Sequence, residues 1–466
     1  MDGPETYDAA IIGAGQAGVP LAKSLAAAGW RTALVEREHV GGACINEGCT
    51  PTKSMIAAAR VAYLARRAPD YGVVTGEVSV DMAVVRQRKR DIVDSWRRGS
   101  ERRVVATENL TLLMAEARFL GSHTLELRRA EGLASTDVPP VIEAGRVFIN
   151  TGCRPSIPSI PGLDSVPYLT STSIMELDAV PERLVVLGGG YVAVEFAQMF
   201  RRFGSAVTMV QRGERLLTRE DDDVSAAAAA VLEEDGIGLV LGAGVRSVSA
   251  VAGGVRLELM TASGGQAVVG SHLLVATGRV PNTEALDLAA AGLKTDDRGF
   301  LPVNDHLETA VEGIYALGDV KGGPAFTHIS YDDFRVIRSN LLEGGDAGIG
   351  ERLVPYVIYM DPQLARCGLT ERESRARGYD VRVAAMPMSH VGRALEIDEA
   401  RGLIKAVVDA QSGRILGCAV LGVEGGEVMS VLQMAMLGGV TASRLRDAVF
   451  AHPTLAESLN NLFARS

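Results

Sequence analysis

Cys44 and Cys49 stand five positions apart in the stretch Gly41 to Met55, GGACINEGCTPTKSM. Two thiols that close together in an intracellular chain more often serve metal or redox chemistry than a structural disulfide. In a regular helix, residues five apart point about 140° away from each other. A bridge with its Cα atoms at roughly 5 to 6 Å therefore needs an irregular turn, which the sequence places at Asn46 to Gly48, with Gly48 to permit it. A helix is expected to begin near Pro51, because proline is tolerated in a first turn. Lys53 then lies one turn on from Cys49, on the same face. A thiolate at Cys49 would feel both the helix N-terminus and, at some distance, the ammonium, and both lower a thiol pKa from about 8.5. The spacing reads as a redox pair. A metal reading lacks a second ligand pair at zinc-like spacing, so no metal site is expected.

A second group able to do chemistry lies near the C-terminus, in AHPTLAESLNNLF. His452 is followed by Pro453 and, five positions on, by Glu457, a carboxylate able to hold one ring nitrogen. That is the arrangement wanted for a general acid/base. Taken alone, a single histidine near a terminus is more often incidental.

Two nucleotide sites must position these groups. Tyr7 to Ile12 reads as a strand, followed by Gly13, Gly15 and Gly18 in GAGQAG, a helix over Val19 to Ala28, and a second strand, Thr32 to Val35, that ends in Glu36. The glycines let the backbone approach a pyrophosphate at a helix N-terminus, and an acid about 20 residues on takes the ribose hydroxyls. The pattern returns after the apolar run Leu184 to Leu187, in GGGYVAVEFAQMF, with Gly188, Gly190 and Ala193 at the glycine positions. The strand Ala206 to Val210 that follows ends in Gln211 and Arg212. Two such patterns in one chain imply two nucleotide-binding domains.

The 466 residues, 47% of them hydrophobic, suffice for three domains with large cores, and the net charge of -10 includes no basic run suited to nucleic acid. The acidic, polar start MDGPETYDAA has no signal-peptide character, and no segment offers about 18 uninterrupted apolar residues. A cytoplasmic protein without membrane contact is expected. Cys153, Cys367 and Cys418 are scattered singly and read as small buried hydrophobes. Residues 56 to 110 read as helices, and the arginines of VRQRKRDIVDSWRRG as a solvated face. Residues 111 to 149 alternate like strands.

GGACINEGCTPTK resembles the redox segment of the class I pyridine nucleotide-disulfide oxidoreductases, which include lipoamide dehydrogenase, glutathione reductase and mercuric reductase. The matches run from residue 8 to residue 457 in the family's order. The resemblance implies an α/β chain with two doubly wound Rossmann-like domains and a C-terminal α+β dimerisation domain. The expected boundaries are 1–151 with 281–345 for FAD, 152–280 for the nicotinamide nucleotide, and 346–466 for the interface. It implies FAD at the first glycine pattern, with Gly42, Lys53, Thr151, Gly152, Asp319 (in IYALGDV) and Thr327 (in FTHISYDDFR) also around it. Asp319 would accept from the ribityl hydroxyls, and the helix opening at Thr327 to His328 would point its amides at the flavin. The second pattern would bind NADP or NAD, with Tyr191 covering the nicotinamide pocket, Glu195 paired with Lys53, and Gly278 and Arg279 closing the domain in VATGRVPNT. Read without the family, Glu195 and Tyr191 are equally a helix-surface acid and a packed aromatic. Cys49 would be the thiolate beside the flavin, Cys44 the interchange thiol, and His452, held by Glu457, the acid/base serving the partner of a homodimer.

Departures from the family bear on the acceptor. No cysteine follows Cys418, so the terminal pair of mercuric reductases is missing, and Phe450 stands where the glutathione and lipoamide enzymes usually have a histidine. A small disulfide or another compact electrophile is expected as acceptor. The alternatives are a metal-ion or quinone reductase or oxidase, and a flavoprotein subunit of a larger complex. At the end of the second nucleotide strand, Gln211 removes the repulsion an acid would exert on a 2′-phosphate and Arg212 offers it a cation, which favours NADPH. Arg212 facing water is the other reading.

Overall fold

A computed structural model of the chain describes residues 4–129 and 138–465, so residues 130–137 of the stretch expected to alternate like strands lie outside it. The chain forms two compact units: residues 1–54, 87–156 and 279–352, and residues 55–86, 157–278 and 353–466.

The first unit is built on a sheet of β1 (Glu5–Ile12), β2 (Thr32–Glu36), β3 (Leu110–Phe119), β4 (Thr124–Arg129), β5 (Val141–Ile149) and the short strand Ile314–Ala316. β1 lies parallel to both β2 and β5. The first half of β3 pairs parallel with β2 and its second half antiparallel with β4, so one strand serves both the nucleotide fold and a meander beside it. The all-apolar run Ala9 to Ile12 is buried, as a parallel strand covered on both faces must be. α1 (Gly18–Ala27) and α7 (Thr327–Leu342) share a core in which Leu21, Leu25, Phe148, Leu317, Phe334 and Ile337 pack together.

The cysteine segment follows β2 as α2 (Gly42–Asn46), a break at Glu47 and Gly48, and α3 (Cys49–Arg67). The helix begins two residues earlier than Pro51 suggests, which leaves Pro51 still in the first turn, where no N–H is missed. α4 (Met82–Val105) lies between α3 and β3 in the chain.

In the second unit, β7 (Arg183–Leu187), β8 (Ala206–Val210) and β9 (Gly238–Val240) form a parallel sheet with His272–Val275. α5 (Tyr191–Phe203) follows β7, and Val194, Phe196, Ala197 and Phe200 bury its apolar face in the core. Beside this sheet in the sequence are a three-stranded antiparallel meander over residues 244–270 and, further on, a five-stranded antiparallel sheet. That second sheet contains Gln363–Gly368 and Val381–Pro387, which are not anticipated above, because their mixed composition carries no clear period. The two strands Gln363–Gly368 and Ile415–Gly422 set Cys367 directly opposite Cys418, so these cysteines are neighbours rather than scattered singles. Both are buried and free.

Candidate active site

The glycine loop after β1 is packed to the limit of its backbone. A Cβ on Gly13, whose φ is +105°, would lie 2.3 Å from the Asn150 carbonyl oxygen, and one on Gly18 would lie 2.1 Å from that of Gly13. Gly15 faces the Asn150 side chain. Glu36, at the end of β2, accepts from the Ala14 N–H at 2.8 Å and from the Glu38 N–H at 2.8 Å, which fixes its carboxylate against the loop. The cysteine segment seats on the same loop. Gly41 N–H donates to the Ala14 carbonyl at 2.8 Å, and a Cβ on Gly42 would lie 2.7 Å from the Gly15 Cα.

Asn150 was not singled out from the sequence. Its amide donates to the Gly13 carbonyl at 3.0 Å, and its Oδ1 faces Gly318, so it ties the glycine loop to the GD segment that carries Asp319. Asp333, fully buried on α7, accepts from the Gly318 N–H at 2.8 Å and pairs with Lys321 and Arg352. Burial pushes the Asp319 carboxyl up from its ordinary range, against the pull of Arg279 and Lys321. A desolvated carboxyl of this kind suits hydroxyl donors of a bound ligand. Thr151 and Asn282 exchange hydrogen bonds of 2.7 and 2.9 Å, Asn282 N–H donates to the Gly152 carbonyl, and Arg279 donates to the Cys153 carbonyl. These contacts belong to a short ribbon in which β6 (Cys153–Pro155) pairs with Arg279–Pro281.

Cys44 and Cys49 are free thiols, one half-buried and the other exposed. The Cys49 Sγ lies 3.3 Å from the hydroxyl of Thr327, the first residue of α7, which is 278 positions away in sequence. Cys49 pushes the Cys44 thiol far above its ordinary range, through a shared hydrogen bond first and charge repulsion besides, and burial adds to it; Thr327 and Lys53 pull the other way. Asn46, between them, accepts from Arg97 of α4 at 2.7 Å and donates to the Gly42 and Val40 carbonyls at 2.9 and 3.2 Å. Arg88 reaches the Ser54 carbonyl at 3.0 Å. Part of the arginine run, Arg88 and Arg97, is therefore bound to the cysteine segment rather than facing solvent alone.

In the second unit, a Cβ on Gly188 would lie 2.3 Å from the Ala276 carbonyl oxygen, whereas Gly190, just before α5, faces open space, as the approach of a phosphate requires. Tyr191 is the first residue of α5, and Gly278 (φ +137°) follows the strand His272–Val275. Glu195 is buried and accepts from the Tyr359 N–H at 2.8 Å. Gln211 packs over Gly189, and Arg212 is exposed. His452 is exposed, with its Nδ1 at 3.0 and 2.9 Å from the two Glu457 oxygens. A carboxylate can only accept here, so Nδ1 carries a proton and Nε2 is the nitrogen left to exchange one. Phe450 packs against the core of the five-stranded sheet.

Residues 7–333 match the pyridine nucleotide-disulphide oxidoreductase family, and residues 354–463 match that family's dimerisation domain. The chain belongs to this family. It is an FAD-dependent pyridine nucleotide-disulfide oxidoreductase whose cofactors are FAD and a nicotinamide nucleotide. The probable pyridine nucleotide-disulfide oxidoreductase RclA of Escherichia coli is 37% identical over 98% of this chain and 99% of its own length. A mercuric reductase of Lysinibacillus sphaericus is 36% identical over 89% of this chain and 74% of that protein. The solved Cu(II) complex of E. coli RclA, described as an HOCl-induced flavoprotein disulfide reductase, superposes with a TM-score of 0.88 at 36% identity, covering 99% of both chains. Among the described residues, no helix is long and apolar enough to cross a membrane.

Proposed function

We propose that this protein is a cytoplasmic homodimer that uses NADPH in preference to NADH to reduce a small disulfide, or a compact electrophile of similar reactivity, through the Cys44–Cys49 pair. The observation that carries the reading is the reach of Thr327, at the N-terminus of a 16-residue helix, to within 3.3 Å of the Cys49 sulfur. A hydroxyl donor and a helix N-terminus both favour a thiolate there. Gly13, Gly15, Gly18, Glu36, Gly42, Thr151, Gly152, Asp319 and Thr327 would hold FAD, and Gly188, Gly190, Tyr191, Gln211, Arg212, Gly278 and Arg279 the nicotinamide nucleotide. Held there, FAD would supply the electron pair, drawn as hydride from the coenzyme, that opens the Cys44–Cys49 disulfide. Lys53 keeps positive charge beside the pair.

Cys44 is the attacking thiol. Because Cys49 and burial hold its proton on, it needs a base at the moment of attack. His452 of the partner subunit, with Nδ1 fixed by Glu457, takes that proton on Nε2. The Cys44 sulfur then bonds to one sulfur of the acceptor and expels the other as a thiolate, which takes the proton back from Nε2 and leaves as a thiol. Cys49 attacks the mixed disulfide, releases the second thiol and restores the Cys44–Cys49 bond. The division into an FAD domain, a nicotinamide domain and an interface domain at residues 152, 281 and 346 is part of this reading.

A second reading, reduction of a metal ion, is favoured by one finding: the solved E. coli relative is a Cu(II) complex. The deciding experiment measures turnover with NADPH and NADH against small disulfides, quinones, Cu(II) and Hg(II), in wild type, Cys44→Ser and Cys49→Ser. The proposal expects disulfide turnover that either serine abolishes, and higher kcat/KM with NADPH that Arg212→Ala diminishes. Metal-ion reduction that survives Cys44→Ser, with no disulfide turned over, would refute it.

A further inference from the structure

We infer that Arg97 is a positioning residue of the redox loop: through Asn46, it holds the segment between Cys44 and Cys49 in the turn that lets the two sulfurs meet. The inference rests on the reading of Cys44 and Cys49 as the redox pair.

A disulfide demands an S–S distance of about 2.05 Å and Cα atoms within roughly 4.4 to 6.8 Å, and a regular helix does not offer this at a spacing of five. The chain meets the demand by stopping α2 at Asn46 and restarting at Cys49. Inside the break, Glu47 N–H still bonds the Ala43 carbonyl at 2.9 Å, and a Cβ on Gly48 would lie 3.0 Å from that carbonyl oxygen. The turn is tight.

Asn46 ties the turn to its surroundings on two sides. Its Nδ2 donates backward to the Gly42 and Val40 carbonyls, and its Oδ1 accepts outward from the Nε of Arg97 at 2.7 Å. The donors and acceptors fix which way round the amide sits, since carbonyls only accept and a guanidinium only donates. Arg97 is itself steadied by Asp94, one turn back on α4, at 3.5 Å. The brace thus runs from a 24-residue helix to the residue that ends α2 at the edge of the turn, 51 positions away in sequence. The neighbouring Arg98 is exposed, which sets Arg97 apart from the solvated face of the same helix.

The chemistry makes such a brace useful. When the pair is reoxidised, two thiols and an acceptor disulfide become one intramolecular disulfide and two product thiols. The ease of that closure depends on how far the turn is already ordered, because a held geometry raises the effective concentration of one sulfur at the other.

The test equilibrates the holoenzyme with glutathione redox buffers, traps the thiols and measures the Cys44–Cys49 dithiol-to-disulfide ratio by mass spectrometry. Arg97→Gln should shift the exchange constant about tenfold toward the dithiol, equivalent to roughly 30 mV, while Arg98→Gln leaves it unchanged. Arg97→Lys, which keeps a donor, should recover part of the shift, and Arg97→Gln added to Asn46→Ala should change it no further than Asn46→Ala does. If Arg97→Gln does not fold, the Arg97→Lys and Asn46→Ala comparisons decide. An exchange constant within twofold of wild type in the arginine variants, or additive effects in the double variant, overturns the brace. A wild-type protein with no Cys44–Cys49 couple in this titration overturns the redox-pair reading itself.

Discussion

Replacing Thr327 with valine keeps the shape of the side chain and removes only the hydroxyl that faces Cys49. That hydroxyl lies 3.3 Å from the sulfur and also lowers the Cys44 thiol, so it donates into the charged state of the pair. A hydrogen bond to a charged group is worth about 1.5 to 3 kcal/mol. Cys49 is exposed, so screening by water puts the value just below that range, about 1.4 kcal/mol, or about tenfold in the balance between thiol and thiolate. The favourable helix N-terminus stays in place, since the backbone of α7 is untouched. In a Cys44→Ser background, where Cys49 is the one redox thiol, the rate of iodoacetamide alkylation should rise with pH along a curve displaced upward by about one pH unit in Thr327→Val. Thr327→Ser, which keeps the hydroxyl, should follow the parent. A valine curve superimposed on the parent curve would mean that the hydroxyl is not a donor to the sulfur, and the argument from α7 would be left with the helix terminus alone.

Two further outcomes are expected. Cys44→Ser and His452→Ala subunits, each inactive alone, should regain about one quarter of wild-type activity after complete random exchange, since half the dimers are mixed and each has one intact site; exchange without recovery would place the site within one chain. Asp361 is half-buried, and the desolvation alone would raise its carboxyl, but Arg202 and Arg60 outweigh that and hold it below the ordinary carboxylate range, with Arg60 at 2.6 Å. Its contribution to stability is therefore full at neutral pH and lost as pH falls through the depressed folded-state value. Asp361→Asn should cost about 2 to 3 kcal/mol at pH 7 by denaturant unfolding, and the gap from wild type should narrow below about pH 4; a gap independent of pH would assign the loss to packing.

Much of the molecule is legible in local signals. The two glycine patterns, the strands before them and the helix after each can be read because glycine, an apolar run and a helix N-terminus are short-range devices. The same holds for the broken helix between Cys44 and Cys49, which follows from the period of 3.6 residues alone, and for His452 with Glu457, whose contact spans only five positions. Thr327 entered through family resemblance, since nothing near it in the chain refers to a thiol.

Tertiary structure decided what local signals do not encode. The choice of Arg97 from a run of arginines depends on which face α4 turns toward the redox loop. Asn150 becomes the tie between the glycine loop and Gly318 only when β5 lies against β1. Cys367 and Cys418 read as unrelated until the antiparallel register sets them opposite each other. Tyr63, on α3, receives the guanidinium of Arg202 at 3.8 Å from its ring centre, within a group that also brings Arg401 to it from a distant stretch of the chain and Arg60 from one turn back on the same helix. Residue type and spacing determine what chemistry a segment can do and which element it forms, because those depend on neighbours within a few turns. Which side chains meet across tens or hundreds of positions is set by packing and register, and those exist only once the whole chain has folded.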